Sequence, residues 1–296
     1  MIKENEKEDA VMEKVEKAYA KINLFLDVLG RRSDGFHKLR TVMHTVSLFD
    51  TVTLRATSAD YSCITLQVEN SDLPADEKNL AYLAAEAFLE TAGITAAVTV
   101  ILDKRIPMAA GLGGGSADAA AVLRALNALF GEPLSREALL SLAAQLGADV
   151  PFCLVGGTAL CEGKGEQMTP YAIGEMFFVI AQPEEEKMAT PRAYAMLDEA
   201  FDNFENEKAE LHDTLFSFFA EDGVDGMYNI FEGVVIPHSP AVAALRTRMI
   251  SLGAKNAMMS GSGTAVFGVF DSEDAARYAA RDIEGALVCS SVSALL

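Results

Sequence analysis

The chain has 296 residues, 50% of them hydrophobic and 23% charged, which is enough apolar content for a sizeable core and excludes a wholly disordered chain. A formal net charge of −19 excludes a protein that tracks the phosphate backbone of nucleic acid, because that needs a basic stripe. A small anionic ligand stays compatible, since a few donors focused in one cleft suffice.

Residues 1–17 alternate Lys with Glu and Asp and contain no apolar leader or anchor, so they are expected to form a charged, frayed, partly helical tail. No later run approaches the roughly 20 apolar residues of a membrane span, and a soluble, cytoplasmic protein is expected. The fold is predicted to begin near Ala18. Leu24–Leu29 is a β-type run stopped by Gly30, and further strands are predicted at Thr41–Ser47, Thr51–Ala56 and Cys63–Val68. The period then changes, with Leu80, Leu83, Ala84, Ala87 and Phe88 marking a helix that Gly93 ends.

A strand at Ala97–Leu102 leads through Lys104-Arg105-Ile106-Pro107 into a glycine-rich turn and an Ala-rich helix, Ser116–Phe130. A second helix runs from a Ser135 cap to Gly147. Gly163–Gly174, with three glycines and Pro170, reads as the passage between two lobes, residues 18–170 and 171–296. Beyond it come a strand at Phe177–Ala181, a polar helical section from Arg192 to about Asp222, a helix near Ala241–Leu252 and a strand at Ala265–Phe270. Because strands and helices cluster rather than alternate, the fold class is α+β. Cys63, Cys153, Cys161 and Cys289 lack metal-site spacing and read as buried thiols of a reducing compartment.

The strongest chemical signal is Pro107-Met108-Ala109-Ala110-Gly111-Leu112-Gly113-Gly114-Gly115-Ser116-Ala117. Glycines let the backbone approach a ligand and converge several N–H groups on phosphate oxygens at a helix start. No Gly-Lys-Ser/Thr follows, so it is not a Walker A loop, and a tight turn with close helix packing is the structural alternative. A second cluster, Met259-Ser260-Gly261-Ser262-Gly263-Thr264, would add donors near an anion. Asp149, in Leu146-Gly147-Ala148-Asp149-Val150-Pro151, is either a turn or cap residue or a carboxylate that accepts a proton from an attacking hydroxyl. His44, His212 and His238 have no motif support and read as structural.

With Ala20-Lys21-Ile22-Asn23-Leu24 and Gly30-Arg31-Arg32-Ser33-Asp34-Gly35-Phe36-His37, these segments resemble the galactokinase, homoserine kinase, mevalonate kinase and phosphomevalonate kinase superfamily from Ala18 to the final strand. The Ala-Lys-Ile-Asn-Leu, Gly-Arg-Arg-x-Asp-Gly-aromatic-His and Leu-Gly-Ala-Asp-Val-Pro segments are similar to the branch that phosphorylates a cytidine-diphospho alcohol in the non-mevalonate isoprenoid route. The resemblance implies a ribosomal-protein-S5-like nucleotide lobe, a ferredoxin-like second lobe, ATP with Mg2+ held by Pro107–Ala117 and no protein metal ligand. It further implies Asp149 as catalytic carboxylate with Lys21 as its partner. Asn23, Phe36 and His37 would lie against the cytidine portion, with Tyr194 as a second aromatic face. Phe36, Ala117 and Thr264 depart from the family's usual Tyr, Ser and Pro. A kinase of homoserine or mevalonate type, or a non-catalytic nucleotide sensor, are the alternatives.

Overall fold

The computed structural model describes residues 11–183, 188–201 and 209–296. In chain order the strands are β1 (Met12–Arg31), β2 (His37–Ser58), β3 (Cys63–Glu69), β4 (Ala96–Asp103), β5 (Thr158–Gly163), β6 (Gln167–Pro170), β7 (Phe177–Ala181), β8 (Tyr228–Asn229), β9 (Asn256–Met259), β10 (Val266–Phe270) and β11 (Leu287–Ser290). The helices are α1 (Leu80–Ala92), α2 (Gly114–Leu129), α3 (Arg136–Leu146), α4 (Val150–Val155), α5 (Thr190–Ala200), α6 (Ala209–Asp222), α7 (Glu232–Val235), α8 (Pro240–Ser251) and α9 (Glu273–Ala280). Among the described residues no helix is long and apolar enough to cross a membrane.

Two sheets organise these elements. The first runs β3-β4-β2-β1-β8, with β5 paired to β2 and β6 to β5. Its long strand β2 serves two neighbours, pairing antiparallel with β5 along Leu39–His44 and with β4 along Thr51–Ser58. The second sheet, β11-β7-β10-β9, is antiparallel throughout. It is covered by α8 and α9, and its elements follow βαββαβ order, as in ferredoxin-like folds. The chain leaves the first sheet at Pro170 and enters the second at Phe177. The division is not clean, because β8 returns to pair parallel with β1.

Strand β1 joins the two hydrophobic cores. Ala18, Ala20, Ile22 and Leu24 belong to the larger one, whereas Leu26 and Val28 belong to that of the second sheet. Lys21 and Asn23 share the opposite face, as the two-residue period of a strand requires. Helix α2, with Ala117 to Asn127 buried, lies against β1, α1, α3 and α4. Its small side chains let it sit inside the lobe rather than on it.

Some expectations need correction. The tail was expected to extend to Lys17, but strand begins at Met12, with Glu13 registered on Arg55 and Lys17 on Thr51. Its alternating charges are accommodated by ion pairs, Arg55 Nε to Glu13 at 2.7 Å and Arg124 Nε to Glu16 at 3.0 Å. Residues 1–10 of that tail lie outside the described residues. Cys63 is exposed rather than buried, while burial pushes the thiols of Cys153, Cys161 and Cys289 up to about 12. The polar helical section is two helices, α5 and α6, and residues 202–208 between them lie outside the described residues. The stretch read as a passage also holds β6 and the turn that joins it to β5.

Candidate active site

A cleft of about 840 Å³ receives residues from both lobes, including Lys21, Gly113, Asp149, His37, Tyr194 and Ser262. Its floor is β1. Lys21, 5% exposed, donates from Nζ to Asn23 Oδ1 at 2.8 Å and stands 3.5 Å from Asp149 Oδ2. Asn23 Nδ2 donates to Thr41 Oγ1 at 2.8 Å, and the Thr41 hydroxyl donates to the Phe25 carbonyl at 2.6 Å. This chain of buried donors and acceptors fixes the ammonium and leaves little rotamer freedom to lose on binding. Asn23, expected against the cytidine portion, therefore serves as the clamp on Lys21, although it also lines the cleft.

Asp149 caps α4 by position but makes no capping hydrogen bond. It lies in the turn before α4, as the structural reading of the sequence had it, but its carboxylate is not committed to a backbone N–H as a side-chain cap's would be. Instead the side chain remains one-third exposed beside the Lys21 ammonium.

The glycine-rich turn closes over the same lysine. Leu112 accepts the Lys21 backbone N–H at 3.0 Å, and a Cβ on Gly113 would stand 2.9 Å from Lys21 Cγ. At Gly111 a Cβ would lie 2.0 Å from the Ser260 carbonyl oxygen, and both glycines have positive φ, 76° and 71°. Only glycine satisfies both demands. Pro107 to Ser116 all line the cleft, whereas Ala117 does not: its side chain is buried in the core and its N–H bonds to Gly113 O at 2.8 Å. A serine hydroxyl lost at 117 would therefore not face the cleft.

The second glycine cluster braces the first. Ser260 Oγ donates to Gly111 O at 3.0 Å, Ala265 N to Ala110 O at 3.2 Å, and Gln182 Nε2 reaches Met108 O, Ala109 O and Thr264 Oγ1, each at 3.3 Å. Gly261 and Ser262 also border the cleft.

At the other end stands an aromatic group. The His37 and Tyr194 rings lie 4.7 Å apart, Tyr194 packs edge-on to Phe231, and His37 Nε2 meets Asp198 Oδ1 at 2.6 Å. Phe36 is 56% exposed, with Lys164 Nζ 4.9 Å from its ring centre. Burial, reinforced by the Asp149 charge, pushes the Tyr194 phenol up, so it stays neutral. Sequence reasoning missed Lys104, Thr41, Lys164, Thr190 and Asp198. Lys104 had a signal, a charged residue one step past a strand end and just before the glycine turn. His44 and His212 are buried and hydrogen-bonded, His44 to Thr158 and Ser291, His212 to Asp27, while His238 is exposed.

Residues 79–157 match the GHMP kinases N terminal domain and residues 200–287 the GHMP kinases C terminal domain. A 4-diphosphocytidyl-2-C-methyl-D-erythritol kinase of Caldicellulosiruptor saccharolyticus is 43% identical over 259 residues, covering 86% of this chain and 87% of that protein. The chain belongs to the 4-diphosphocytidyl-2-C-methyl-D-erythritol kinase family of GHMP kinases. A crystal structure of 4-(cytidine 5'-diphospho)-2C-methyl-D-erythritol kinase superposes with a TM-score of 0.77 at 36% identity, covering 94% of this chain and 98% of that one. A homoserine kinase of Cytophaga hutchinsonii reaches 0.72 at 21% identity, covering 99% of this chain and 98% of that one, a likeness of fold alone. As a GHMP kinase of this family the chain is an ATP-dependent small-molecule kinase with the expected two-lobed α+β fold.

Proposed function

We propose that the chain transfers the γ-phosphoryl of ATP to the 2-hydroxyl of 4-diphosphocytidyl-2-C-methyl-D-erythritol. The observation that carries this reading is the 3.5 Å pair of Lys21 Nζ and Asp149 Oδ2, set between the glycine turn and the His37–Tyr194 aromatic group of one cleft. Asp149 accepts the proton of the attacking hydroxyl, and Lys21, held by Asn23, orients that hydroxyl and offsets charge as the phosphoryl moves. Backbone N–H groups of Pro107–Ser116 receive the phosphates. Phe36, His37 and Tyr194 hold the cytosine ring through aromatic faces and ring nitrogens.

Magnesium fits as an ion carried by the nucleotide. Among the described residues no group of three or more His, Cys, Asp or Glu could hold a metal, and the turn offers N–H donors rather than carboxylates. Carried in with the nucleotide it would neutralise developing charge. The family and the absence of a membrane-spanning helix among the described residues favour the cytoplasm.

A coupled ADP-release assay comparing the cytidine-diphospho substrate with homoserine and mevalonate tests the assignment. Turnover confined to the first is expected. Preference for either simple alcohol, which has nothing to place on His37 and Tyr194, would overturn it.

A further inference from the structure

Beneath the first turn of α2 lies a buried charge cluster that the reaction scheme leaves unused. Lys104, 7% exposed, donates from Nζ to Asp50 Oδ2 and to Asp118 Oδ2. The other Asp50 oxygen accepts the backbone N–H groups of Arg105 and Ile106, the latter at 2.8 Å. Among the described residues Asp118 Oδ1 has no hydrogen-bond partner, and the residue is only 2% exposed. Lys104 also borders the cleft, its Nζ 3.7 Å from where a Cβ on Gly114 would stand.

Two carboxylates thus share one ammonium away from water. Fully ionised, the cluster would carry a net negative charge under the turn that receives phosphates, an arrangement burial penalises heavily. One proton added to the cluster makes it neutral. Asp118 is the carboxyl better placed to take that proton, because Asp50 already accepts two N–H groups and Asp118 has an orphan oxygen. Burial pushes the Asp118 carboxyl up to about 7 against the pull of Lys104. Burial opposes the Lys104 charge, but Asp118 and Asp50 still hold its ammonium above the ordinary value.

The elements around α2 supply little competing charge. From α4 comes Cys153, a thiol pushed up to about 12 by burial and therefore neutral, and β1 contributes Lys21 with Asp149 beside it. Arg124, on α2 itself, is bound to Glu16 and to the carbonyls of Lys17, Cys153 and Leu154. The buried faces of α1 and α3 carry only apolar residues.

We propose that Asp118 is a positioning residue for nucleotide binding: with Asp50 it sets where Lys104 stands beneath the glycine turn, and protonation of Asp118 governs how much of the lysine's charge a bound phosphate meets. The proposal rests on the glycine turn being the ATP site. Losing the proton adds a negative charge under the turn and weakens ATP binding; by linkage, binding the phosphates favours the proton.

The test is the KM for magnesium-bound ATP and for the cytidine-diphospho substrate between pH 6 and 8.5, in wild type, Asp118→Asn and Lys104→Met. In wild type the KM for ATP should rise roughly threefold or more across neutrality, in keeping with the loss of one nearby favourable charge interaction. Asp118→Asn, uncharged at every pH, should hold the low-pH value throughout, and the KM for the second substrate should follow one profile in both proteins. A wild-type profile retained in Asp118→Asn, with Lys104→Met raising the KM for ATP, would overturn the role of Asp118 alone. An unchanged KM for ATP in Lys104→Met at every pH would overturn the proposal while leaving the ATP reading, which Gly113→Val tests, in place. A measurement on wild type needs no variant to fold. Titration calorimetry with magnesium-bound ATP analogue near pH 7.5, in two buffers of different ionisation enthalpy, should show net proton uptake, and no uptake would overturn the proposal.

Discussion

Gly113 packs on the aliphatic stem of Lys21, so closely that a Cβ there would stand 2.9 Å from Lys21 Cγ and 3.2 Å from Cε. The glycine turn and the lysine beside Asp149 are therefore one packed unit. Gly113→Val should strain a left-handed backbone position and push Lys21 aside, lowering ATP affinity by at least ~10-fold and kcat with it. Gly115→Ala provides the contrast, because its nearest neighbour would be Leu80 Cδ1 at an ordinary 3.7 Å. That variant should fold, and any loss of ATP affinity in calorimetry reports the approach of phosphate alone. Wild-type affinity and turnover in folded Gly113→Val would remove the turn from the ATP site.

Asp149 and Lys21 should behave as a pair. Asp149→Asn keeps the shape but removes charge and basicity, so kcat should fall by roughly 10²–10⁴ with much smaller changes in KM. Lys21→Met should also lower kcat. If the two act as a unit, the double variant is little slower than the poorer single one. Full additivity in steady-state kinetics would separate them, and near-wild-type turnover in Asp149→Asn would end the mechanism.

His37 should report on the proposed cytidine end of the cleft. With Nε2 held by Asp198 at 2.6 Å and its ring against Tyr194, His37→Ala should raise the KM for the cytidine-diphospho substrate and leave that for ATP nearly unchanged. Asp198→Asn should move the same constant in the same direction by less. A change confined to ATP would place these residues in the other half of the cleft.

His44 should make the fold acid-sensitive. Burial lowers its pKa to about 4, and its ring nitrogens meet Thr158 Oγ1 at 2.7 Å and Ser291 Oγ at 3.0 Å, tying β2 to β5 and the C-terminal segment. Between an unfolded value near 6.5 and about 4 the unfolded chain binds a proton that the folded one refuses. Stability is therefore lost as pH falls through that window, by up to about 3 kcal/mol from this group. Denaturant midpoints of His44→Gln should change less between pH 7 and 4.5 than those of wild type, and equal slopes would contradict the assignment.

Much of this was legible in order and chemistry. The glycine turn, Lys21, Asp149 and the aromatic-His pair are local strings near element ends, and residues of all of them line one cleft. Helices α1, α2 and α3 were legible because 3.6-residue periodicity, the Ser135 cap and the Gly93 stop are local signals as well. Met12–Lys17 misled because alternating charge has no strand signature of its own; only pairing with Thr51–Ala56 makes it one.

What the sequence by itself determined is a kinase-like α+β chain with a glycine-rich turn at a helix start and a candidate carboxylate and lysine. Only the tertiary structure decided that Asn23 clamps Lys21, that the second glycine cluster braces the first, that Ala117 faces the core, and that Asp50, Lys104 and Asp118 meet under α2. Hydrogen bonds and ion pairs between residues far apart in the chain depend on how β1, β2 and α2 pack, and no local pattern carries that distance.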